Sequence, residues 1–146
     1  VTVNVMIPWD DRLRNRPPLL WLRTRIAIAV ARPLVFLPPH RLRRVLEFVR
    51  RGARPATFAE AELAVHSVLS SSLGLNAYRA CLPRSIAAVL LCRLHGTWAS
   101  WCTGVVLTPP FSAHAWIEVD GRLVRENVGP EQVGRQLVVP PRTARS

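Results

Sequence analysis

A thiol, an imidazole and a carboxylate can together break an acyl bond. The thiolate attacks the carbonyl, the imidazolium protonates the leaving group, and the acid fixes the imidazole's tautomer. This chain offers three cysteines (Cys81, Cys92, Cys102) and four histidines (His40, His66, His95, His114). Cys81 stands just ahead of PRSIAAVLLCRLHG, residues 83–96, which reads as a helix with proline in its first turn and glycine after its last apolar residue. The free first-turn amides and the helix dipole put partial positive charge there, which favours thiolate, and Arg79 and Arg84 add to that field. Cys92 lies mid-helix among apolar neighbours and Cys102 in a strand, so both read as small core residues.

His114 belongs to AHAWIEVDGRLVREN, residues 113–127, two strand-like runs around Asp120-Gly121. With a three-residue loop Val119-Asp120-Gly121, Glu118 faces Arg122, Ile117 faces Leu123, Trp116 faces Val124, and His114 lands opposite Glu126. A two-residue loop would pair Trp116 with Arg125 and Glu118 with Leu123, which are poorer cross-strand matches, so the first register is expected. Glu126 could then hold one ring nitrogen of His114 and leave the other free. Asp120 reads as turn chemistry. The competing reading of His114 is a satisfied histidine on a sheet face. His40, His66 and His95 sit at a helix start, mid-helix and a helix end, and are weaker candidates.

These residues need elements to position them. Leu42, Val45, Leu46 and Val49 recur at helical spacing after Pro38 and Pro39, with Gly52 as a stop. Thr57 and Glu60 form a Thr-x-x-Glu capping box ahead of Ala61, Val65, Val68 and Leu69, and Gly74 closes that helix. The 83–96 helix has almost no polar face and should lie centrally. From residue 98 the pattern becomes strands: TGVVL, then the hairpin, then RQLVV (135–139) as an edge strand before Pro140 and Pro141. The fold class is therefore α+β, with the Cys81 helix packed on an antiparallel sheet and further helices in front.

The whole chain, 1–146, reads as one domain, with an arginine-rich helical part over 1–56 and a core carrying the candidate Cys-His-acid residues over 57–140. At 49% hydrophobic residues, disorder across the chain is excluded. All twenty basic residues are arginine, and a net charge of +9 falls in residues 1–54 against +2 in the rest. Such a surface suits phosphate, an anionic membrane or an acidic peptide. The arginines lack interleaved aromatics and zinc-finger spacing is absent, so nucleic acid is not the expected partner. Residues 19–37, LLWLRTRIAIAVARPLVFL, are broken by Arg23, Arg25, Arg32 and Pro33 and make a poor membrane span. Three widely spaced cysteines suggest reduced thiols in a cytoplasmic setting, and neither a metal nor an organic cofactor is indicated.

RACLPRSIAAVLLCRLHG followed by GVVLTPPFSAHAWIEVDGRLV resembles the transglutaminase-like leader peptidase of lasso-peptide biosynthesis, the stand-alone counterpart of the C-terminal half of fused lasso B proteins. The likeness is close over about residues 60–130 and looser before them; its most specific pieces are Cys-Leu-x-Arg-Ser at Cys81–Ser85 and Phe-x-Ala-His-Ala-Trp at Phe111–Trp116. The resemblance implies a transglutaminase/papain-like core in which the family's cysteine falls on Cys81 and its histidine on His114. Its acid, commonly aspartate, falls twelve residues past the histidine, on Glu126. It further implies a cysteine peptidase that removes the leader from a ribosomally made precursor at the leader-core junction. Fused relatives carry a winged-helix leader-recognition domain, for which this chain has no evident room, so the partners implied are the precursor leader, a separate winged-helix recognition protein and the lasso cyclase. Trp21 and Leu22, among the N-terminal arginines, could dock that partner or simply cover the core; Arg79 and Arg84 are candidate substrate contacts. Two rival readings are an acyltransferase using the same Cys-His-acid site and a non-catalytic basic binding adaptor.

Overall fold

The structure is a computed structural model and describes residues 18–71, 80–126 and 128–142. Helix α1 (Pro18–Leu34) starts on a proline, whose missing N–H is harmless at a first helical position, and carries Pro33 in its last turn. It buries Thr24, Ala27, Ile28 and Ala31, a stripe narrow enough for close helix packing. Helix α2 (Pro39–Val49) buries Leu42 and Leu46, and Gly52 takes φ +82° shortly after its end. Helix α3 (Phe58–Ser71) opens on the expected capping box: Thr57 Oγ1 accepts from the Glu60 amide at 3.2 Å, and Glu60 Oε1 accepts from the Thr57 amide at 3.1 Å. Its expected stop, Gly74, lies outside the described residues.

Helix α4 (Cys81–Leu94) begins two residues before the sequence expectation, so Cys81 is its first residue and not the one ahead of it. Pro83 sits in the first turn, where amides have no intrahelical acceptor, so it does not delay the helix. Ser85 through Cys92 are all buried. α4 packs against α1 and α3 and against strands β3 (Ser100–Val106) and β4 (Ser112–Val119).

Two short strands, β1 (Arg54–Pro55) and β2 (Thr97–Trp98), pair in parallel. The main sheet is antiparallel in the order β5-β4-β3-β6, from β3 (Ser100–Val106), β4 (Ser112–Val119), β5 (Arg122–Leu123) and β6 (Val133–Val139). Its inner face contributes Trp101, Ile117 and Val139 to the core with α4; its outer face carries a smaller cluster of Cys102, Trp116 and Val133. The architecture is thus α+β, with N-terminal helices and a central cysteine-bearing helix on an antiparallel sheet. Among the described residues no helix is long and apolar enough to cross a membrane.

The hairpin register differs from the expectation. Glu118 pairs with Leu123 and Val119 with Arg122, around a two-residue turn in which Asp120 (φ 52°) and Gly121 (φ 79°) are both left-handed. Asp-Gly adopts this turn readily and its twist matches the strands, which outweighs the side-chain matching that favoured the longer loop. Glu118 also forgoes Arg122 because its carboxylate bonds Trp116 and Arg135 instead. The ladder runs one step further, from the Val124 amide to the Ile117 carbonyl (3.0 Å), and the chain then turns off at Arg125 (φ 53°).

Candidate active site

That departure positions the site. In an antiparallel strand alternate residues point their N–H and C=O to the same side. Ile117 faces β5, so Ala115 does too, but the β5 side of the ladder has ended before reaching it. The Ala115 amide is thereby left to act on the Cys81 sulfur and lower its pKa, Cys81 being the first residue of α4. Glu126 does not oppose His114 in a ladder, since β4 pairs with β5 only at Leu123 and Arg122 and the backbone bonding goes no further than Val124. It reaches the ring after the turn at Arg125, and its Oε2 lies 2.8 Å from His114 Nε2.

Cys81, His114 and Glu126 therefore form one chain of contacts. His114 bonds Glu126, and both Cys81 and Glu126 act on it to raise its pKa. With Nε2 on the carboxylate, Nδ1 is left for the sulfur. Burial is the largest single influence on the Cys81 thiol and pushes its pKa up; the bonds from His114 and Ala115 and the charges of His114 and Arg84 together outweigh it, and the net direction is down. For His114, burial again acts most strongly, disfavouring the cation, yet Cys81 and Glu126 lift the pKa to about 9. The arrangement favours thiolate and imidazolium near neutral pH. Cys92 and Cys102 behave oppositely: burial drives each to about 12, as expected for core thiols.

Arg84, read from sequence as a substrate contact, lies 3.9 Å from Glu126 through Nη2 to Oε1, and so backs the acid from the helix that carries the thiol. Arg79 lies outside the described residues. Trp21 and Leu22 are not drawn into the cluster; α1 leaves them 52% and 49% exposed. Asp120 stays at the hairpin tip.

Several supports escaped the sequence reading. Trp101 Nε1 donates to Ser85 Oγ (3.1 Å), whose hydroxyl donates to the Leu82 carbonyl (2.9 Å), so an indole of β3 pins the first turn of α4 beside Cys81. Glu118 joins Trp116, two residues past His114, to Arg135. Only local hints, an acid two residues past a buried tryptophan and an arginine in an edge strand, foreshadowed these contacts. Among the described residues no group of three His, Cys, Asp or Glu side chains is arranged to hold a metal ion.

A family model described as the transglutaminase-like superfamily matches residues 24–138. No curated protein and no solved structure is matched.

Proposed function

The chain belongs to the transglutaminase-like superfamily, whose members act as cysteine peptidases or acyltransferases, and from that premise we propose that it is a cysteine peptidase removing the leader from a ribosomally made lasso-peptide precursor. The observation that carries the catalytic part is His114 Nε2 held 2.8 Å from Glu126 Oε2, with Cys81, the first residue of a buried helix, and His114 each shifting the other's pKa toward the ionised form. The substrate is supported by the Cys-Leu-x-Arg-Ser and Phe-x-Ala-His-Ala-Trp stretches that frame Cys81 and His114.

The steps follow from the groups present. Cys81 thiolate attacks the carbonyl carbon at the leader-core junction, and the resulting oxyanion takes a hydrogen bond from the Cys81 backbone amide at the start of α4. The C–N bond then breaks, and His114 imidazolium gives its proton to the departing core amine. Neutral His114 next takes a proton from water as water attacks the thioester, which releases the leader carboxylate and restores the thiolate–imidazolium pair. Glu126 holds Nε2 throughout, so the ring keeps Nδ1 toward the sulfur.

A separate winged-helix recognition protein presents the leader, and the freed amine passes to the cyclase. α1 offers a docking face for that recognition protein: Leu19, Trp21, Leu22, Ile26 and Val30 are all about half exposed, and Arg25 lies over the Trp21 ring at 5.5 Å. Their exposure supports docking over core covering.

Mass spectrometry of a precursor incubated with the recognition protein and either wild-type chain or Cys81→Ala tests the reading. Cleavage at one junction by wild type alone is expected. Equal cleavage by both removes the cysteine mechanism, and capture of the acyl group by an added amine instead of water identifies an acyltransferase. Tight precursor binding without cleavage by either chain identifies a binding adaptor.

A further inference from the structure

Trp116 is 1% exposed, and the rings of Trp116 and His114 stack, with centroids 5.7 Å apart and planes 19° apart. They stand two residues apart on β4 and so share its outer face. The indole is tethered: Nε1 donates to Glu118 Oε2 at 3.0 Å. Glu118, 8% exposed, is in turn gripped by Arg135 of β6, with Nε 3.1 and 3.0 Å from its two oxygens and Nη2 2.9 Å from Oε2.

Two features show how the backbone accommodates this arrangement. A bulge between β3 and β6 pairs Thr103 with Leu137 but Gly104 with Arg135, skipping Gln136; a regular ladder would put Gln136 opposite Gly104. Gly104 itself has no room for a side chain, since a Cβ there would overlap the Gly134 carbonyl oxygen. The same register carries the arginine to the outer face. A buried tryptophan needs one acceptor, which a neutral group could provide; a buried carboxylate paired with an arginine is a demanding way to supply it unless orientation matters.

We propose that Trp116, Glu118 and Arg135 form a positioning relay that sets the plane of the His114 ring and favours its charged form, so that an arginine on β6 tunes Cys81 without touching it. The inference rests on His114 being the partner of Cys81. An indole face within about 6 Å attracts a cation, and imidazolium is the cation here. Among the described residues, the other charged groups at the site are Cys81 and Arg84 from α4 and Glu126 from the segment after β5; Glu118 bonds Trp116 and Arg135 bonds Glu118.

The test is the pH dependence of Cys81 alkylation by iodoacetamide, read by mass on the Cys81 peptide, for wild type, Trp116→Phe, Trp116→Leu and Arg135→Gln, with thermal unfolding measured alongside. Folded Trp116→Leu and Arg135→Gln should move the midpoint upward and slow alkylation near pH 7 by about three- to tenfold. Trp116→Phe, which keeps a ring and loses the tether, should fall between. If Trp116→Leu does not fold, Trp116→Phe and Arg135→Gln decide alone. A wild-type profile in the folded variants, or a loss of stability with no change in profile, overturns the relay. No precursor is needed, so the outcomes separate: an ordinary thiol profile in the wild type refutes the Cys81–His114 pair, whereas a depressed profile without precursor cleavage refutes only the peptidase.

Discussion

At the scale of single residues, the chemistry rests on two opposed pKa movements. Cys81 moves down and His114 moves up to about 9, so activity should rise with pH as the thiol ionises and fall as His114 loses its proton near pH 9. Cleavage of a peptide substrate across pH 5–10 checks the basic limb. The bond from Cys81 is one of the causes holding His114 up, so in Cys81→Ala the imidazole should titrate lower, which NMR of the ring protons reads directly. Sign also fixes the effect on stability. A raised folded pKa makes the His114 contribution full below its unfolded value of 6.5, and that contribution fades as pH climbs through about 9. Glu126→Ala leaves Nε2 without its carboxylate and should lower kcat by about 10²-fold or more while KM changes little.

At the scale of elements, caps and crossings decide where those residues stand. Glu60 closes the α3 capping box and is also gripped by both Nη atoms of Arg54, at 2.9 and 2.7 Å, and the Arg54 bond leads the causes that lower its pKa to about 2. The stabilisation this carries is present above pH 4.5 and is lost as pH falls through about 2, so Glu60→Gln should narrow the acid tolerance seen in a thermal melt series between those limits. The pair is largely exposed and its worth at neutral pH is small. Thr57→Ala removes the reciprocal half of the box and should cost about 1 kcal/mol by denaturant unfolding. Gly104→Ala forces β3 from β6 at the bulge, and should both destabilise the fold by about 1–3 kcal/mol and disturb Arg135.

At the scale of the whole molecule, α4 is the axis on which helices and sheet meet. Leu91 is fully buried within it, and Leu91→Ala should cost about 2–5 kcal/mol in unfolding free energy. The exposed face of α1 makes the opposite claim: replacing Trp21 and Leu22 together by Ala should leave the melting temperature near wild type while weakening capture of the proposed recognition protein. Much of this plan could be read from the chain. Caps, prolines and 3.6-residue periodicity are local, so α2, α3 and α4 were legible to within a few residues, as were β4 and parts of β3 and β6, and the expected approach of Glu126 to His114 is seen at 2.8 Å. The sequence determined which groups were available and that a helix start would carry the thiol, because capping and periodicity act between near neighbours. Tertiary structure alone decided how they meet. The tight Asp120-Gly121 turn shifted the register, the turn at Arg125 delivered Glu126 by a route no ladder describes, and Trp116, Glu118 and Arg135 came together across strands and a bulge whose offsets no local pattern encodes.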